Sequence, residues 1–509
     1  MTKPHLPWKM LRFGAVALCT VGMAAVPLGA SGVTSSHAMA PFVNIGTQEA
    51  ASSQTVSATA YNPAYRLRTC QVQNYPGRVG SCYDPYQMRT AYGIAPLIAA
   101  GYDGTGKSID IIDAYNISTL NIDVNGFDSY YGLPGVPSSQ SATPTFLHVY
   151  TPEGPVANNV SGWDGEMDLD VQWAHAIAPG ATINLIEAKS ANDVDLSNAL
   201  KWALDHKLGD VASMSFGENE SCLTKEDANR WDSVIKYAAV KGVTLFASAG
   251  DYGASQPTCD GNSWAKAVSS PANHPMVTAV GGTLLNAGAA CFSPPPFNCN
   301  PGNYPYTFGQ YIGETAWNEN LSGQNIATGG GFSQIFGHPF FQDGVVSNPG
   351  RGLPDISYNA GVLTGVLVEF YGAQFYRFGG TSAGSPQWAA ITAIIDQKAG
   401  TDLGVINPAL YRLGNPSSAS YCAACFHDVT TGNNSVTNLD ANNNSVSITG
   451  FNAGTGWDAT TGIGTPNAAS LATALPGAID SKDRQALVSN TAQMKFNNGR
   501  TQSAENRPH

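Results

Sequence analysis

The chain has 509 residues, 43% of them hydrophobic, enough to bury the core of one domain of about 350–400 residues beside its tails. Charged residues are only 12%, Asp plus Glu outnumber Lys plus Arg by 37 to 25, and the net charge is -12. No basic run is present and that charge repels phosphate, which argues against a nucleic-acid partner. Sparse charge with many Gly, Ser, Asn and Thr suits a protein working in acid, where a Lys-rich surface would repel itself.

In chain order, Lys3, Lys9 and Arg12 precede an apolar run over 13–30, followed by small residues at Ser36, Ala38 and Ala40. That order predicts a signal peptide over 1–40, cut near Ala38 or Ala40. A membrane anchor is the alternative, but the run is about 18 residues long and is broken by glycines and Pro27. No later segment is apolar enough to span a bilayer, so the expectation is a secreted, extracellular monomer, free of membrane once the signal is cut. Of the nine cysteines, Cys19 leaves with the signal, and the even remainder implies disulfides. Short separations suggest Cys70–Cys82, Cys291–Cys299 and Cys422–Cys425, leaving Cys222–Cys259, one of about a hundred possible connectivities. A redox or zinc role for Cys422 and Cys425 lacks the second pair or zinc-spaced His cluster it would need, which favours a staple.

Residues 41–83 read as a short N-terminal segment, polar and without a strong period. The globular part begins near Asp84. From there the pattern alternates: a buried strand over 108–113, a helix over 164–177, and a strand over 181–187. A helix over 193–206, a strand over 211–216, a helix over 225–240 and a strand over 243–248 follow. Continuous β-branched strands alternating with amphipathic helices predict an α/β fold with a mostly parallel sheet covered on both faces. Residues 476–509 read as a loose polar tail.

Three segments carry chemistry. On the 164–177 helix, Glu166 and Asp170 are four apart and share a face, beside an apolar stripe of Met167 and Val171. Partly buried, such a pair holds a proton tightly and can relay it; fully solvated, it is an ordinary acidic face near a helix N-terminus. The strand ending Ser248-Ala249-Gly250 delivers Asp251, which is a hydrogen-bond donor only when protonated and otherwise simply closes a turn. An apolar run over 375–378 leads through Gly379-Gly380-Thr381 to Ser382, at or near the N-terminus of a helix reaching Gln397. Unpaired N–H groups and the dipole there favour developing negative charge. The nine histidines are scattered, and His175 is the one near a carboxylate cluster. A histidine triad therefore fails for want of a histidine.

The 378–386 segment resembles the nucleophile segment of the subtilisin-like superfamily, and the three segments together resemble the sedolisins, the serine-carboxyl peptidases. Ala91-Tyr92-Gly93-Ile94, Gly329-Gly330-Gly331-Phe332-Ser333 and Pro354-Asp355-Ile356-Ser357 are similar to that family too. The likeness spans residues 84–475 and implies a subtilisin-like three-layer sandwich. It implies Ser382 as nucleophile, Glu166 as base, Asp170 as its partner and Asp251 as oxyanion donor, with Asp113 where some members add an acid. Ser215-Phe216-Gly217 falls where the family builds part of its substrate cleft.

Asp428 and Asp458, with the carbonyls of Val429, Gly454 and Gly456, match the positions that bind Ca2+ in sedolisins; oxygen ligands suit that ion. Sedolisins usually carry a long folded pro-segment, whereas only residues 41–82 stand here between the expected signal and Tyr83. The expectation is a secreted, acid-acting serine endopeptidase on protein or peptide substrates. A tripeptidyl-peptidase of the same family, or a non-catalytic binding protein on the same scaffold, remains open from sequence.

Overall fold

Ile109, Ile111, Ile112 and Ala114 are all fully buried, so the strand Ser108–Ala114 is apolar on both faces and needs cover on both. The computed structural model describes residues 38–56, 65–72, 74–75, 78–79, 82–288, 309–321, 323–372 and 374–489. In it this strand lies inside an eight-stranded sheet. Across the sheet the order is Tyr311–Ala316, Thr278–Ala287, Thr244–Ser248, Val211–Met214, Ser108–Ala114, Thr182–Ala188 and Leu147–Tyr150. Ile356–Asn359 also pairs with Thr278–Ala287. Every pairing is parallel except that of the edge strand Tyr311–Ala316.

The helices Asp193–His206 and Lys225–Lys241 pack together on one side of this sheet. Trp163–Ile177 and Gly384–Ala399 pack together on the other, completing the subtilisin-like three-layer sandwich. Local signals set the limits. Thr224 caps Lys225–Lys241 by accepting the Asp227 N–H at 3.1 Å, and Gly242 stops it in the left-handed region at φ 84°.

The aperiodic N-terminal stretch is built into the fold. Ala40–Pro41 pairs antiparallel with Phe216–Asn219, and Asn44–Glu49 pairs antiparallel with Gln374–Gly379. The latter strand, which leads to Ser382, sits in a separate four-stranded sheet with Gly365–Phe370 and Cys82–Tyr83. A change of partner after Pro41 and a register shift between Ile45 and Gln48 erase the period of two from the sequence.

At the other end, where a loose tail is expected from 476, helix Ala468–Ala478 runs through Pro476 and a further helix spans Ser481–Ser489. Burial of Leu475, Ala478 and Leu487 and an Arg412–Asp483 ion pair hold them, too few apolar positions to register as a pattern. Cys70–Cys82, Cys222–Cys259 and Cys422–Cys425 are bonded, with Cα atoms 5.5, 5.2 and 5.4 Å apart. Cys291 and Cys299 lie outside the described residues. Among those residues no helix is long and apolar enough to cross a membrane.

Candidate active site

The helix Trp163–Ile177 begins with Asp164 accepting the N–H groups of Gly162 and Gly165 at 3.0 and 2.9 Å, which satisfies donors of the open first turn. All 15 of its residues are buried, so its acids are not a solvated face. Glu166 and Asp170 are fully buried. Ser215 Oγ donates to Asp170 Oδ2 at 2.6 Å. Neither oxygen of Glu166 meets a well-aligned donor among the described residues, although the Ser382 hydroxyl is near enough to favour its ionised form. That hydroxyl donates to the Ser215 carbonyl at 3.2 Å.

Burial, then Asp170, then Asp113 hold the Glu166 carboxyl well above the usual carboxylate range. Burial and Asp113 do the same to Asp170. Asp113 is itself pushed up to about 8 by burial and by Glu187, and burial pushes Glu187 up to about 7. Each of Glu166, Asp170 and Asp113 is thus raised by burial and by a neighbouring acid, the last of them by Glu187. The resemblance implies Asp113 only as an acid that some members add, and sequence does not single out Glu187. The two become neighbours because Ser108–Ala114 and Thr182–Ala188 pair in a register that sets Asp113 beside Glu187. No local signal announces that register.

Asp251 follows the strand Thr244–Ser248 through Gly250 and is 2% exposed. Its carboxyl accepts from the Thr381 N–H and hydroxyl, both at 2.8 Å, and from Asn44 Nδ2 at 2.5 Å. Burial outweighs these bonds and pushes it up to about 7, so in acid it carries a proton and can donate it.

Ser382 lies in a 3-10 turn, Thr381–Ala383, between the strand Gln374–Gly379 and the helix Gly384–Ala399. The turn is opened by Gly380 at φ 110°. A Cβ on Gly380 would stand 2.1 Å from the Phe42 carbonyl oxygen and 2.5 Å from Asp251 Oδ2, so only glycine fits. His175 stacks on Phe146 at 3.5 Å and bonds Asp128 at 3.1 Å, a closed core arrangement.

In the C-terminal loops, Gly456 N–H donates to Asp428 Oδ2 and Gly454 N–H to Asp458 Oδ2, both at 2.9 Å. The Thr461 hydroxyl contacts both the Val429 carbonyl and Asp458. The five expected ligand residues thus share one loop cluster whose donors are all oxygens. Burial pushes Asp458 up to about 6 and raises Asp428, as befits carboxylates lacking a nearby positive charge. This donor set fits a hard cation. Among the described residues no group of three or more His, Cys, Asp or Glu is poised for a metal, so any ion here depends on carbonyls.

The layered parallel sheet and the serine at its helix N-terminus define the subtilisin-like class, and the subtilase family model matches residues 156–409. Kumamolisin from Bacillus sp. (strain MN-32) is 33% identical over 79% of this chain and 66% of its own length. Sedolisin from Pseudomonas sp. (strain 101) is 30% identical over 76% of this chain and 60% of its own. A solved Pseudomonas sedolisin, a serine-carboxyl proteinase complexed with pseudo-iodotyrostatin, superposes with a TM-score of 0.62 at 29% identity, covering 77% of this chain and 97% of that one. The chain belongs to the sedolisin family. It spans about two thirds or less of the length of these curated relatives.

Proposed function

We propose that the chain is a secreted, acid-acting serine-carboxyl endopeptidase that cleaves protein or peptide substrates as a monomer. One observation carries this reading: the Ser382 hydroxyl, the Glu166–Asp170 pair and Asp251 converge in one buried pocket in which burial raises the acids. Ser382 attacks the scissile carbonyl while Glu166 takes its proton, with Asp170 orienting Glu166. Protonated Asp251 donates to the oxyanion. Glu166 then returns the proton to the leaving amine, and water repeats the sequence on the acyl-enzyme.

Endo-cleavage is favoured because residues 38–49 run past Ser382, Ala40–Pro41 pairing with Phe216 and Gly217 and Asn44–Glu49 with Gln374–Gly379, which leaves the side of the cleft that residues 38–41 occupy open to an extended chain. A tripeptidyl-peptidase needs that side closed. The test is cleavage-site mapping on long peptides in acid: internal cuts are expected, and release of successive tripeptides from the amino end would overturn the endo reading.

Asp428, Asp458 and the carbonyls of Val429, Gly454 and Gly456 would hold Ca2+ as a structural staple. Chelation by EGTA should then lower Tm, and Asp458→Ala should lower Tm and abolish the response to EGTA. A chelator-insensitive Tm in the native chain contradicts the calcium assignment.

A further inference from the structure

One end of the cleft is lined by carboxyls that the proposed mechanism does not use. Glu218 stands on the strand Phe216–Asn219, three residues past Ser215, whose carbonyl accepts from the Ser382 hydroxyl at 3.2 Å. It is partly buried, and its Oε1 is enclosed without a hydrogen-bond partner among the described residues. Asp193 faces it from the start of the helix Asp193–His206 and also accepts the Trp231 indole N–H at 2.6 Å. Asp227 acts on it from the first turn of Lys225–Lys241. Burial, then Asp193, pushes Glu218 up to about 9, and no Lys, Arg or His offsets that rise. The strands packed on Phe216–Asn219, namely Ala40–Pro41, Thr244–Ser248, Ser255–Pro257 and Ser269–Ser270, carry no titratable residue. Glu220, two residues on, is turned away to Asn273, Ser333 and Gln334.

These acids flank a slot for extended chain. Ala40 and Pro41 pair antiparallel with Gly217 and Phe216. The Met39 N–H donates to the Ala191 carbonyl at 2.8 Å, and Ala38 bridges antiparallel to Asn192, the residue before Asp193. Residues 38–41 thus run between one wall that carries Glu218 and another that leads into Asp193. Partners across an antiparallel ladder face the same side, and the side alternates with a period of two. Pro41 therefore shares a side with Phe216, and Met39 shares it with Glu218. Met39 is 2% exposed there. Phe216, on the same side, packs on Trp163 and Trp231 with ring centroids 5.9 and 6.3 Å away. Aromatic rings beside a pair of carboxyls suit a side chain with a long apolar stem and a cationic head.

We infer that Glu218, backed by Asp193, selects substrates by taking a lysine or arginine side chain of an extended peptide at the place where Met39 lies. That place is three residues upstream of the one whose N–H meets the Ser215 carbonyl, the fourth residue before the cut. The inference rests on the peptidase reading above and adds a substrate class to it. The ammonium or guanidinium supplies the positive charge that this pair of acids lacks. A carboxyl facing a cation holds its proton less tightly, so binding releases a proton from the pair to solvent. In strong acid the pair keeps its protons and offers only neutral acceptors. The preference for a basic side chain therefore grows as pH rises. Norleucine, with a similar stem and no charge, gains nothing from that change.

The test is kcat/KM from about pH 3 to pH 7 on a peptide set in which each position before the cut carries Lys, norleucine or Glu in turn. Wild type, Glu218→Gln and Glu218→Lys are compared. In wild type the ratio of Lys to norleucine should reach about tenfold at the fourth position before the cut and climb with pH. Glu218→Gln should lower that ratio about tenfold, and Glu218→Lys should favour Glu over Lys at the same position. Either variant decides if the other fails to fold. A wild type that cuts the norleucine peptides with no preference for Lys at any position overturns this inference and leaves the peptidase reading intact. A preference for Lys that Glu218→Gln keeps, or one that does not rise with pH, overturns it too. A wild type inert towards every peptide overturns both.

Discussion

In the proposed mechanism two carboxyls in one pocket have opposite tasks: Glu166 must accept a proton and Asp251 must already hold one. Burial raises both; Asp170 and Asp113 raise Glu166 further while the Ser382 hydroxyl favours its ionised form, and the N–H and O–H donors facing Asp251 only partly offset its rise. With Asp251 at about 7, its donor form is lost as pH rises through that value. Asp251→Asn keeps an N–H donor at every pH. The alkaline limb of kcat/KM should flatten in that variant, whereas Asp251→Ala should lose roughly 10²–10³-fold at the optimum. An unchanged limb in Asp251→Asn would mean that another group sets it. Ser382, Glu166, Asp170 and Asp251 are legible in sequence because each stands in a short segment whose local shape is fixed by its own residues. Asn44 and Glu187 are not, because strand register brings them in from 207 residues away in one case and from a neighbouring strand in the other.

The helix carrying the acids shows what a helical period leaves out. Met167 and Val171 mark a stripe, yet every side chain of Trp163–Ile177 is enclosed, because the helix packs against Leu120–Tyr131 and Gly384–Ala399 as well as the sheet. Asp168, on a different face from Glu166, meets Asp123 of that first neighbour, and burial, then Asp123, raises it well above the usual range. At neutral pH the folded chain must keep this proton while the unfolded chain gives it up. Asp168→Asn removes that penalty, so Tm at about pH 7 should rise by a few degrees while Tm at about pH 4 stays put. A larger gain in acid than at neutrality would contradict the pairing.

Across the whole molecule the same linkage recurs. Burial pushes Asp110, Glu187 and Asp251 to about 7, Asp113 and Asp396 to about 8, and Glu218, also facing Asp193, to about 9. Their unfolded values lie near about 4, so above that pH the unfolded state binds fewer protons than the folded one and stability falls as pH rises. Tm should be highest near about pH 4 and decline through about pH 8; a Tm that climbs over that range would contradict the burial of these acids. The alternating strands and helices from 108 to 248 make the sandwich legible, since each buried strand is apolar on both faces. The cleft-crossing segment 38–49 is not, because its partners lie in three separate parts of the chain and its polar residues face solvent in between.

In the proposed mechanism a glutamate, not a histidine, takes the proton from Ser382. This step is tested most directly by kcat/KM on one long peptide from about pH 2 to pH 8, for wild type and Glu166→Gln. The wild type should have its optimum in acid, and the variant should lose roughly 10²–10⁴-fold across the range. A neutral optimum, or a variant that turns over like wild type, would contradict it.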